Sequence, residues 1–209
     1  MPRTKEQYEA MRMATREKIQ SAAIKLFTQK GFSATSVQDI ANKAQVSTGL
    51  MYRHYKSKDH LFNELVNVAA TGLKENVEMF QSDASPTEII QRLTLEILND
   101  LNKNEQFSEF LMLMNQASTM ENPPPEVKFL NEQSEAMLNQ LAILIKKGQT
   151  LGQFKDGDEK EMAFFYLATL QGLTNIRLTM KERFISPNPK IVMAFLMKEA
   201  NDDGNQTSE

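Results

Sequence analysis

The sequence predicts an all-α protein of about nine helices, on three observations. Its 209 residues hold only 8 glycines and 7 prolines, too few for the turns of an all-β chain. Apolar residues recur at helical spacing along most of its length, and no segment alternates in the manner of a strand. Several segments open on a hydroxyl or acidic residue followed three positions later by an acid or amide, the signature of a helix N-terminus. At 41% hydrophobic and 24% charged the chain can bury a core.

Ile19, Ala22, Ala23, Leu26 and Phe27 give an amphipathic stripe over 15–30. Gly31 follows as a left-handed terminator, and Phe32 is placed to pack back on Phe27. Residues 1–14 either extend this helix as a polar arm or stay disordered. Thr35 with Gln38 reads as a capping box for a short second helix with Val37, Ile40, Ala41 and Ala44 inward. Gln45, Val46 and Ser47 form a turn, and Ser47 caps a third helix running to about Tyr55. Ser57 caps a fourth, whose stripe is Leu61, Phe62, Leu65, Val66, Ala69, Leu73, Val77 and Phe80.

Ser85-Pro86-Thr87-Glu88 opens a fifth helix carrying Ile89, Ile90, Leu93, Ile97, Leu98 and Leu101. A Phe- and Met-rich segment at 105–120 ends before Pro123, Pro124 and Pro125. A long helix follows over about 126–150, with Leu130, Met137, Leu138, Leu141, Leu144 and Ile145 inward and Gly152 just beyond. Asp158 and Glu161 form a box before a helix to about Lys181, and Asn188-Pro189 opens a last one to about Ala200. The expected division is a head at 1–56 and a body at 57–209.

Composition excludes several chemistries. With no cysteine there is no disulfide, thiolate metal site or cysteine nucleophile, and two histidines make a zinc site improbable. No Gly-rich phosphate loop or G-x-S-x-G elbow occurs, so no enzyme, cofactor or metal is expected. No apolar run reaches the roughly 18 residues of a membrane span, and the N-terminus has no signal-peptide core, so a cytoplasmic protein without membrane contact is expected. The net charge of −3 is uneven: residues 1–66 carry 11 Lys+Arg against 6 Asp+Glu, and the remainder is acidic. A basic head on an acidic body suits a polyanion partner.

The two short helices and their turn, SVQDIANKA, QVS and STGLMYRHY, have helix-turn-helix spacing, a pattern also found in helical bundles that bind no DNA. The string around them is more specific. It has A-x-x-L-F-x-x-x-G-F at 23–32, Thr35-Ser36-Val37, Ile40-Ala41, Ala44, Val46-Ser47, Gly49, Tyr52, His54-Tyr55, Lys58 and Leu61. Over residues 15–66 it resembles the N-terminal domain of the TetR family of bacterial transcriptional regulators. The resemblance implies a homodimer that binds a palindromic operator in double-stranded DNA, most often as a repressor, under control of a small organic effector.

Within that reading the DNA-contacting candidates are Ser36, Gln38, Ser47, Thr48, Gly49, Leu50, Tyr52, Arg53, His54 and Lys58. Ser36 and Ser47 stand at helix N-termini, where hydroxyl and backbone N–H groups hold phosphate or simply cap. Gly49 lets the backbone approach DNA closely. Thr48, Leu50 and Arg53 project toward base edges, Arg53 suiting guanine O6/N7 and Leu50 or Thr48 a thymine methyl. Tyr52, His54 and Lys58 correspond to phosphate contacts of the family, with His54 alternatively a packing histidine. Tyr55 is read as core.

In the body, MAFFYLATL at 162–170 is apolar almost all round, which calls for burial on every side. Phe164, Leu167, Ile191 and Phe195 are the candidates for a dimer interface, the alternative being a wholly internal helix. Phe107, Phe110, Leu111, Met114, Gln171 and Asn175 are the candidates for a mainly apolar effector pocket, the alternative being core. A helical adaptor that binds only protein remains the competing reading of the whole chain; salt-dependent binding to duplex DNA separates the two.

Overall fold

The computed structural model describes residues 4–103 and 105–198. Among these the chain forms nine α-helices. The head is α1 (Lys5–Lys30), α2 (Val37–Ala44) and α3 (Thr48–His54). The body is α4 (Lys58–Phe80), α5 (Pro86–Lys103), α6 (Glu105–Ser118), α7 (Pro125–Thr150), α8 (Glu159–Met180) and α9 (Pro189–Met193), with a single 3₁₀ turn at Lys181–Arg183. No helix among the described residues is long and apolar enough to cross a membrane.

Local chemistry accounts for most boundaries. Thr4 and Gln7 form a reciprocal capping box, so α1 starts about four turns before its first buried residue, Ile19, and 5–14 is an exposed helical arm rather than coil. Gly31, with φ +85°, ends α1, and the Phe27 and Phe32 ring centroids lie 5.3 Å apart. The cap of α2 is Ser36, paired reciprocally with Asp39, one residue later than expected. Thr35 is instead buried, its hydroxyl donating to Gly31 O at 2.8 Å. The Ser36 backbone N–H, then the Ser36 hydroxyl, with a smaller contribution from Lys30, hold the Asp39 carboxyl below its ordinary range.

The last helix differs most from expectation. It ends at Met193, not near Ala200, which itself lies outside the described residues. The chain then pairs with the segment after α7: Lys155 N–H donates to Leu196 O at 2.9 Å and Lys198 N–H to Gln153 O at 3.1 Å. This antiparallel bridge seats Phe154, fully buried, on Gly148 of α7.

Apolar burial falls into two clusters. The head-side cluster joins Ile19, Phe27, Ile40, Met51 and Tyr55 with Leu61, Phe62, Leu65 and Val66 of α4 and Leu113, Met114 and Ala117 of α6. The body-side cluster joins Phe80, Ile90, Leu101, Leu141, Leu144, Phe154 and Tyr166. Helix α4 contributes to both, its first half to the head and its end to the body. At the α5–α8 contact the Tyr166 and Thr94 hydroxyls meet at 2.7 Å, and burial pushes the Tyr166 phenol up to about 12.

Candidate nucleic-acid interface

Helices α2 and α3 are joined by Gln45, Val46 and Ser47. Gln45 takes the left-handed conformation (φ 57°, ψ 42°), turning the chain so that Val46 N–H reaches Ala41 O at 3.0 Å. Ser47 Oγ accepts from Leu50 N–H at 3.1 Å and starts α3. The Thr48 hydroxyl donates to Gln38 Oε1 at 2.8 Å, and the Gln38 amide donates to Asn42 Oδ1 at 2.8 Å. Thus Ser36, Gln38, Ser47 and Thr48 all carry internal bonds that fix the motif's geometry. Met51 is the buried side of α3, while Gly49, Tyr52 and Arg53 are exposed and Leu50 is half-buried. A Cβ built on Gly49 meets nothing within 4 Å, so the fold itself does not require glycine there.

Arg53 makes no hydrogen bond or ion pair to the described residues and is free to meet a ligand. Arg53→Ala is expected to weaken a specific duplex site by about 1–3 kcal/mol and to relax preference at one base pair per half-site. Titrating the variant against single-base substitutions of the site checks this. Equal weakening on every sequence would make Arg53 a phosphate contact instead.

One phosphate candidate is placed differently from expectation. Lys58 turns its ammonium inward, donating to Phe32 O at 2.7 Å and Thr35 O at 2.8 Å, with its nitrogen 4.3 Å from the Phe32 ring centroid. It clips the α1–α2 turn onto α4, which leaves at most one N–H for phosphate. Lys58→Met is therefore expected to cost about 1–3 kcal/mol of stability in a denaturant melt. The salt dependence of DNA binding should be unchanged; a slope shallower by about 2 would restore Lys58 as a phosphate contact in each head. His54 is half-buried, its Nδ1 without a hydrogen-bond partner. Burial, then the charges of Arg16 and Arg12, lower its pKa below the ordinary histidine value.

The pocket candidates do not converge on one cavity. Met114 is buried in the head-side cluster, Phe110 packs against that cluster and Phe107 packs against the body-side one. Leu111 is half-buried. Gln171 and Asn175 are exposed, because they lie seven and eleven residues after Phe164 and so share its outward stripe on α8. The Met/Phe segment does wall a half-open cavity of about 390 Å³. It lies between α6 and the α1–α2 turn, lined by Phe32, Phe62, Leu113, Gln116, Ala117 and Met120. Of the interface candidates, Phe164 is 60% and Ile191 70% exposed. Leu167 and Phe195 are partly buried against the body core, and Phe195 meets the exposed Phe165 edge-on at 4.7 Å.

A short helix capped by serine, held by a three-residue turn against a second helix and exposing its far face, defines a helix-turn-helix protein. Residues 19–65 match the sequence model of the bacterial regulatory proteins of the tetR family. The chain is 33% identical over 104 residues to the probable HTH-type transcriptional regulator YttP of Bacillus subtilis (strain 168), covering 48% of this chain and 50% of that one. It is 31% identical over 86 residues to the HTH-type transcriptional regulator AcrR of Shigella flexneri, covering 40% of each. The chain thus spans about half the length, or less, of these curated relatives. Over nearly the whole chain the fold is shared with solved structures at low identity. The ketosteroid transcriptional regulator KstR2 of Mycobacterium tuberculosis has a TM-score of 0.68 at 20% identity, covering 88% of this chain and 95% of that one. The SmeT–triclosan complex has a TM-score of 0.66 at 20% identity, covering 90% and 93%.

Proposed function

We propose that this chain is a cytoplasmic transcriptional repressor that binds a palindromic operator as a homodimer and answers a small, mainly apolar organic effector. The observation that carries the reading is the exposed face of α3. Tyr52 and Arg53 project from it, and Gly49 opens its first turn although no internal contact demands a glycine. Such a face suits the major groove, where an arginine reads guanine and a bare backbone approaches closely. Support for two copies comes from α8, which leaves Phe164, Phe165 and Ile176 exposed, and from α9, which leaves Ile191 exposed. An apolar face of that kind favours a second subunit, and two heads multiply the affinity of one. Support for an apolar effector comes from Phe32, Phe62, Leu113 and Met120, which wall the half-open cavity, and from the ligand named in the SmeT complex.

The test is selection of bound fragments from total genomic DNA with purified protein, repeated at rising salt. The reading expects recurrent fragments with an inverted repeat, whose affinity falls steeply with salt. Recovery of random fragments, or of none, would leave the adaptor reading in its place.

A further inference from the structure

Helix α3 has seven residues, too short to hold a conformation or a direction by itself. Its orientation is set by what holds its two ends. The first is held by the Ser47 cap and the Thr48–Gln38 bond. The second is held at Tyr55, whose backbone N–H closes the helix on Met51 O at 2.9 Å and whose ring is 1% exposed.

That second end meets one atom of α4. Glu64 Oε1 accepts from the Arg16 guanidinium, from Gln20 Nε2 at 2.8 Å and from the Tyr55 hydroxyl at 3.3 Å. Arg16 and Gln20 are one turn apart on α1, and the Arg16 guanidinium also stacks 5.0 Å from the Tyr55 ring centroid. One carboxylate oxygen therefore ties α1, the end of α3 and α4 together. Burial, followed by the Glu64 charge, pushes the Tyr55 phenol up to about 12, so it remains a donor across the working range. The Arg16–Glu64 pair is 30% and 25% exposed at its side chains, so its worth in global stability is modest and its geometric role is the larger one.

We infer that Glu64 is a positioning residue for base readout: its carboxylate fixes the exit of α3 against α1 and α4, and so the angle at which Tyr52 and Arg53 meet the duplex. The inference rests on the proposed DNA-reading function. Loss of the tie lets α3 pivot about its capped first turn. Contacts that need exact angles, those to base edges, suffer first, while charge contacts to the backbone tolerate the pivot.

The experiment compares the full chain with Glu64→Leu and the milder Glu64→Gln on the selected operator and on a scrambled duplex, with helical content and melting recorded for each. Glu64→Leu should lower operator affinity about tenfold or more and leave scrambled-duplex affinity within about twofold, so the specificity ratio collapses. Glu64→Gln, which keeps an acceptor but not the charge, should fall between. Arg16→Met should lower the ratio too, and the double variant should be no worse than the worse single one. Equal losses on both duplexes, or an unchanged ratio in a folded variant, would overturn the inference while leaving DNA reading intact. Absence of operator preference in the unsubstituted chain would remove the DNA-reading function, and this inference with it.

Discussion

Phe164→Asp is expected to break the proposed homodimer into monomers and to lower affinity for the proposed palindromic site by about 10²–10⁴-fold. Phe164 is 60% exposed on α8, in line with Gln171 and Asn175 and beside Phe165. A single chain therefore loses nothing of its core when this side chain is made polar. In a symmetric dimer the same residue meets its own copy or a near neighbour across the axis, so one substitution places two carboxylates in an apolar interface. Sedimentation and operator titration read the two consequences separately. Affinity for an isolated half-site should be nearly unchanged, since the head is untouched. A variant that stays dimeric would move the interface elsewhere, for instance onto the exposed Ile143 and Leu151 of α7 and its end.

Gly148→Ala is expected to destabilise the fold although it adds a strong helix former to the last turns of α7. The added Cβ would stand 2.2 Å from Phe154 Cδ2 and 2.4 Å from Cε2, where no carbon can sit. Phe154 is fully buried and held by the bridge to Met197, so the ring cannot swing clear without unseating the end of the chain. Overpacking of this kind costs about 1–3 kcal/mol and outweighs the roughly 1 kcal/mol gained in helix propensity. A fall in Tm of a few degrees is the expected reading. In a Phe154→Leu background the added methyl should cost less. A raised Tm for Gly148→Ala alone would mean that α7 and the Phe154 segment separate easily.

Much of this fold is legible in the sequence because its signals are local. The stripe of α1, the Gly31 terminator with Phe32 folded back, and the three-residue turn Gln45-Val46-Ser47 are each set by residues close in sequence. The misreadings arise where two groups compete for one role or where the deciding partner is far along the chain. Thr35 and Ser36 are adjacent hydroxyl residues, and either could cap α2. The choice falls on Ser36 because the Thr35 hydroxyl is taken by the Gly31 carbonyl in the tucked turn. The last helix is short because its continuation pairs with a strand-like segment some forty residues earlier, which periodicity cannot reveal.

The candidate site follows the same rule. Tyr52, Arg53 and Gly49 could be read from their spacing and remain exposed. Lys58 reads as a free cation until the Phe32 and Thr35 carbonyls are seen beneath it. Glu64 gave no signal, since its three donors come from two different turns of α1 and the end of α3. Gln171 and Asn175 were recoverable, because a helical wheel aligns them with Phe164 rather than with Leu170 and Thr174, which are buried.

The central claim is that the head reads duplex DNA through α3. The most direct measurement is the affinity of the purified chain for a selected duplex and for its scrambled counterpart across a range of salt. The account predicts tight binding to the first, binding weaker by at least about 10³-fold to the second, and a steep linear fall of log affinity with log salt for both. Equal affinity for the two duplexes, or binding that ignores salt, would contradict it.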